Sequence, residues 1–452
     1  MLRRGTTFVL FVFWVLAACR PEPPLRGRHN VILLSIDTLR ADHLGAYGYA
    51  KPTSPTIDHF AAQGIVFARP SAQAPSTLLS HAAIFTAQIP QHHGASHVRF
   101  LPLAESAVTL TEVLAAQGFA TVSFNSGGQL DRAFGLGQGF EIYEKGPDPF
   151  EWAVQQSESW LTARAQRGDD RPFFLFLHTY EVHHPYTPSP QDFALFADPN
   201  YRGALPKGIS VEWLERLNQR QRRPSPEDLA YIEAAYDGEI RSVDRGFGRL
   251  LEILRQRQLL ESTVIVVTSD HGEEFEEHGR VGWHSHSLYE ELLWVPLIFR
   301  LPDARFAGAR PLQRVRSIDI APTLLDLLGL PPQPSFDGRS LLPLMSPGGQ
   351  LEELPAIAFR DNAQGEKFES LAFRRYKWNE GKLFDLEADP AEKTDLAANE
   401  RATCDQLAAE LRRRVEGRRA LLPGQGVELE EETRERLRSL GYAAGEPEKE
   451  PR

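Results

Sequence analysis

The sequence predicts an α/β protein: a large, mostly parallel sheet sandwiched by helices, with a small α+β part at its carboxyl end. Three observations carry this prediction. Short, continuously apolar runs recur at 31–36, 173–177, 263–268 and 295–299, as in strands buried on both faces. Helical patterns separate them, at 55–63, 108–117, 151–166, 226–256 and 318–328. After about residue 350 the pattern shifts to short strand-like stretches and one helix.

The elements follow in order. Val31-Ile32-Leu33-Leu34-Ser35-Ile36 shows no polar face, so it belongs inside the sheet. The helix over 55–63 begins after Ser54, a capping residue, and stops before Gly64. Gly329 stops the helix over 318–328 in the same way. Stretches 356–360, 370–373 and 383–385 read as a small antiparallel sheet, and 402–415 as a helix. From residue 430 on, the chain is highly charged and reads as a solvated tail. No internal repeat is visible.

Composition narrows the function. Of 452 residues, 42% are apolar and 25% charged, which excludes a disordered, collagen-like or multi-spanning membrane chain. Lys and Arg total 50 against 61 Asp and Glu, a net charge of −11 with no basic block, so nucleic acid is not an expected partner. The two cysteines, Cys19 and Cys404, cannot form a disulfide framework. Met1-Leu2-Arg3-Arg4, the apolar run 8–18 and Leu16-Ala17-Ala18-Cys19 resemble a bacterial lipoprotein signal. That implies a lipid on Cys19 and a chain anchored on the periplasmic or outer side of a cell-envelope membrane. Cys404 is then expected to be a small buried hydrophobe.

Four segments carry chemistry. Asp37 follows the first apolar strand directly, and carboxyl ends of parallel strands are where ligands bind. Asp270-His271 follows the strand 263–268 in the same way, offering one hard oxygen and one imidazole, a pair suited to Zn²⁺ or Mn²⁺. Residues 73–87 form a hydroxyl-rich loop entering a helix, with Thr77, Ser80 and His81; a helix start favours negative charge. Besides His271, six of 14 histidines, among them His178, His183, His184, His284 and His286, cluster after the strands 173–177 and 263–268. As a set they point to a metal or oxyanion site.

These residues, in this order, resemble the sulfatase family of the alkaline-phosphatase superfamily. Further markers are Tyr236-Asp237-Gly238-Glu239, Ile318-Asp319-Ile320-Ala321-Pro322-Thr323, Asp337-Gly338-Arg339-Ser340 and Leu383-Phe384-Asp385. The resemblance implies a division into a signal peptide (1–18), a lipidated tether (19–29), a sulfatase catalytic domain (30–350), a carboxyl-terminal subdomain (351–425) and a charged tail (426–452). It also implies hydrolysis of a sulfate or phosphate ester. The family's nucleophile, a Cys or Ser oxidised to formylglycine, falls on Thr77, and its arginine falls on His81. A β-methyl bars Thr77 from becoming that aldehyde. The set then resembles the Thr-based phosphodiesterases and headgroup transferases of the superfamily, in which a divalent metal activates the Thr hydroxyl. By resemblance, Asp37, Asp270 and His271 bind one divalent cation (Zn, Mn or Ca), with room for a second toward Glu181. His183 and either His284 or His286 lie on the substrate side. The expected partner is a small-molecule, lipid or glycan sulfate or phosphate ester. A phosphodiesterase or phospho-headgroup transferase, and an inactive binding protein that kept the fold, are the alternatives.

Overall fold

The structure, a computed structural model, describes residue 25 and residues 28–442 apart from positions 97, 220–222, 363, 423 and 425. The expected signal peptide and Cys19 lie outside the described residues, as does most of the tether. No helix among the described residues is long and apolar enough to cross a membrane.

The described residues form a seven-stranded sheet from β1 (Asn30–Ile36), β2 (Ile65–Val66), β3 (Ala120–Asn125), β4 (Ile142–Lys145), β5 (Phe173–Thr179), β6 (Thr263–Thr268) and β7 (Leu297–Arg300). Their order is β2-β7-β6-β1-β5-β3-β4. β1 runs parallel to β5 and β6, and β3 parallel to β4 and β5; β7 is antiparallel to both its neighbours. The apolar run of β1 serves both faces of this sheet. Ile32, Leu34 and Ile36 pack with Phe247 and Leu250 of the long helix Pro226–Gln256, while Val31 and Leu33 pack with Leu78 and Phe85 of the helix Thr77–Thr86.

The sequence reading overlooked β3. Its alternation of hydroxyl and apolar residues suggests one wet face, yet all six are buried. Burial is tolerated because the Thr121 hydroxyl donates to the Gly139 carbonyl at 2.7 Å and Ser123 accepts from Asn125 at 3.1 Å.

A four-stranded antiparallel sheet follows, built from Ala356–Asp361, Lys367–Phe373, Tyr376–Asn379 and Lys382–Asp385, with the helix Arg401–Glu416 on it. Ile357, Leu371, Leu383, Cys404, Leu407 and Leu411 pack against Ala83, Ile89 and Ile318 of the large domain. Cys404 is buried, as expected. The tail differs from the reading as solvated: Glu431–Ser439 is a helix whose Thr433 and Leu437 are buried, as is the following Leu440.

Candidate active site

Three strand ends meet at one place. β1 is central, with Ser35 level with His178 of β5 on one side and Thr268 of β6 on the other. Asp37, His178 and the Asp270-His271 pair therefore leave the sheet side by side. Gly272 allows this loop to pack closely, since a Cβ there would stand 2.0 Å from the Glu291 carbonyl oxygen. Its N–H donates to Leu292 at 2.8 Å. Thr77 is the first residue of its helix, and its hydroxyl donates to Asp37 Oδ2 at 3.2 Å.

The remaining atoms decide what this centre can hold. His271 Nδ1 faces the Gly272 carbonyl at 3.0 Å and therefore carries the proton, leaving Nε2 as a lone pair. That Nε2, Asp37 Oδ1 and Asp270 Oδ2 are buried and lack any hydrogen-bond partner. The three side chains place one ligand atom each within 4.8 Å of one another. His271 Nε2 is 3.5 Å from Asp270 Oδ2 and 4.0 Å from Asp37 Oδ1. Three buried acceptors facing each other without a donor are unfavourable unless a cation sits among them. The donor set, two carboxylate oxygens and one imidazole, fits a divalent metal.

Proton affinities tell the same story. Burial, and then the Asp270 carboxylate, push the Asp37 carboxyl well above its usual range. Burial opposes charge on Asp270 too, but His271 and His81 hold it below its ordinary value. Burial would lower His271, yet the Asp270 and Asp37 carboxylates prevail and raise it.

His81 stands beneath this centre, one turn on from Thr77. Its Nδ1 donates to the Thr77 carbonyl at 2.8 Å, and its Nε2 accepts from Ser35 at 2.9 Å. Burial lowers it to about 4, so it is neutral and both nitrogens are engaged. Its visible role is to fix the helix start that presents Thr77.

A second cluster lies beside the first. The His284 and His271 rings are 4.5 Å apart. Glu273, fully buried, accepts from His284 Nδ1 at 3.0 Å and from Tyr186 at 3.0 Å, with His184 Nδ1 at 3.4 Å. These histidines and the hydrogen bonds from them hold the Glu273 carboxyl well below its usual value despite burial. Burial brings His284 to about 4 and His183 well below its ordinary value, so both are neutral. The free Nε2 atoms of His183 and His284 converge on one phenol, Tyr442 Oη, at 3.3 and 2.9 Å.

The structure thus brings together Asp37, Thr77, Asp270 and His271, with His81 below and His183 and His284 alongside. It does not bring His286 there: that ring pairs with Glu274 at 2.7 Å. Glu181 turns away as well, accepting from the Phe150 backbone at 2.8 Å. Sequence reasoning left His178 without a role, yet its Nε2 donates to Asp37 Oδ2 at 3.1 Å. Its place at the end of the strand beside β1 was the available signal. Glu273 and Tyr442 were also missed, the latter because it follows a run of charges.

The family model for Sulfatase matches residues 29–330. The chain belongs to the sulfatase family. A second model, for the carboxyl-terminal part of N-sulphoglucosamine sulphohydrolase, matches residues 277–420. An arylsulfatase of Clostridium perfringens is 24% identical over 86% of this chain and 95% of its own. A choline-sulfatase of Rhizobium meliloti is 28% identical, with 52% of this chain aligned to 48% of that protein, so the chain spans about half of that relative's length. The structure of a phosphonate monoester hydrolase of Agrobacterium radiobacter shares the fold, with a TM-score of 0.68 at 23% identity over 86% of this chain and 96% of that one. The sulfatase match takes in every strand of the large sheet and each residue of the metal-like centre. Tyr442 lies beyond both matched ranges.

Proposed function

We propose that the chain is a metal-dependent hydrolase of sulfate esters, with Thr77 as nucleophile, and that phosphate esters are a second class of substrate. One observation carries the reading: three unpartnered buried acceptors, from Asp37, Asp270 and His271, converge where the Thr77 hydroxyl donates to Asp37. A divalent cation bound there would supply positive charge that lowers the proton affinity of the Thr77 hydroxyl and offsets charge developing on the ester.

The chain's own groups do the rest. The Thr77 oxygen forms a bond to sulfur or phosphorus as the bond to the departing alcohol breaks. Its proton passes toward Asp37 Oδ2 and on to solvent, and the departing alkoxide takes a proton from water. Water then cleaves the Thr77 ester. His284 is built to serve as base here, since Glu273 holds its Nδ1–H and leaves a neutral Nε2 to take the water's proton. That proton returns to the Thr77 oxygen. The β-methyl of Thr77 rules out expulsion of sulfate by collapse to an aldehyde, and this observation favours phosphate esters as the second reading.

A panel of nitrophenyl sulfate, phosphate, phosphodiester and phosphonate, each with added Zn²⁺, Mn²⁺ or Ca²⁺, tests the proposal. Release of nitrophenol from a sulfate or phosphate ester, abolished by chelator and restored by metal, is the expected outcome. Inertness toward every ester with every metal would overturn it. Lipid anchoring through Cys19 at the cell envelope belongs to the same proposal and rests on the leader sequence alone.

A further inference from the structure

Every reacting group named above is buried: Thr77, Asp37, Asp270 and His271 are 0% exposed, His183 is 2% and His284 4%. An ester has no route to Thr77 unless something moves. The carboxyl-terminal segment covers the site. Its helix ends in a left-handed residue, Gly441 (φ +82°), with the Tyr442 N–H donating back to the Leu437 carbonyl at 2.9 Å. That turn drives Tyr442 inward. Gly441 passes so close to His184 that a Cβ would stand 2.9 Å from Nε2. His184 Nε2 also donates to the Leu440 carbonyl at 3.0 Å.

Tyr442 then occupies the space a substrate needs. Its hydroxyl faces the Nε2 atoms of His183 and His284, at 3.3 and 2.9 Å. The helix behind it is held by the buried Leu437 and Leu440 and by polar contacts around a water-accessible cavity of about 650 Å³ lined by Ser126–Gly128, Lys145–Asp148 and Arg436. Arg436 pairs with Asp148 and lies over the Tyr180 ring at 5.4 Å. Thr433 donates to Asp131 at 2.8 Å, and Lys145 pairs with Asp131 at 2.9 Å. Leu437 and Leu440 are the apolar anchors of this helix; the rest of its hold is partly exposed polar contact, which gives way more readily than a packed core.

We propose that residues 430–442 form a plug seated in the substrate pocket. Tyr442 stands on the leaving-group side, in the place of the alcohol of an ester, and the plug swings out before substrate reaches Thr77. This rests on Thr77 being the reacting residue. A plug that is closed most of the time weakens apparent substrate affinity by the closed fraction and leaves the chemistry of the open state alone.

Two full-length variants test this: Tyr442→Ala, which removes the phenol, and Arg436→Ala, which loosens the helix at a distance from the reacting atoms. With nitrophenyl sulfate or phosphate, whichever ester the protein cleaves, KM should fall about fivefold or more in both while kcat holds. In wild-type protein, benzenesulfonate should speed tryptic cleavage after Arg434, Arg436 and Arg438. An unchanged or raised KM in either variant would overturn the plug, as would a fall in kcat with KM constant, which would make Tyr442 part of the chemistry. If no variant cleaves any ester, the hydrolase reading falls and the tryptic assay alone decides: acceleration by benzenesulfonate upholds the plug, and indifference to it overturns it.

Discussion

At the scale of single residues, the site is defined by atoms that have no partner. Asp270 Oδ2 and His271 Nε2 face each other across 3.5 Å with no donor between them. Asp270→Asn removes one negative ligand and adds a donor that points at a lone pair. Its metal content after purification, read by elemental analysis, should drop tenfold or so relative to wild type. Burial acts on other histidines too. His93 donates from Nε2 to the Leu79 carbonyl at 3.2 Å and accepts at Nδ1 from Ala95 at 3.2 Å. Burial lowers it to about 3. An unfolded chain takes up a proton at His93 near its ordinary value of about 6.5, and the folded chain does not. Stability is therefore flat above that pH and falls as pH drops from there toward 3. At pH 5 the loss from His93 alone is roughly 2 kcal/mol. Urea unfolding at pH 7 and pH 5 should show it, and His93→Gln should narrow the gap between the two.

At the scale of elements, the small antiparallel sheet braces the catalytic part through a buried charge cluster. Lys377, fully buried on the strand Tyr376–Asn379, reaches Glu290 at 3.1 Å and Glu392 at 3.1 Å. Arg314 adds a pairing to Glu290 at 3.0 Å. Lys377→Met leaves two carboxylates facing one another with too little positive charge, and should lower unfolding free energy by about 3–5 kcal/mol. Denaturant titration would measure this, with a change under about 1 kcal/mol refuting the bracing role. How far such elements could be foreseen depended on which forces shape them. Strands β1, β5 and β6 and the helix Glu151–Gln166 declare themselves through local apolar pattern, and the helix Pro226–Gln256 through its pattern and the capping box of Ser225. Strand β3 did not, because the Thr121 hydroxyl finds its partner, the Gly139 carbonyl, only after a separate segment closes over it. The helix Glu431–Ser439 did not, because its few apolar residues, Leu437 and the following Leu440, are outnumbered by charges.

At the scale of the whole molecule, a mostly parallel sheet with β1 at its centre places the candidate site groups by register. Asp37, His178 and Asp270 were separate sequence features until Ser35, His178 and Thr268 proved level across three adjacent strands. The metal-like triad was legible because each strand end carries its ligand within a few residues. His284 and His286 could not be separated by sequence, since both follow the same turn; only the fold shows Glu273 holding one and Glu274 the other. The central claim is that this assembly acts through the Thr77 hydroxyl. It is tested most directly by acid-quenching a reaction with excess nitrophenyl ester and weighing the peptide that carries Thr77. The account predicts a sulfuryl or phosphoryl group on Thr77 in the wild-type protein. It also predicts loss of both adduct and turnover in Thr77→Ala, by on the order of a thousandfold in kcat/KM. Turnover without any adduct on Thr77, together with full activity of Thr77→Ala, would contradict it.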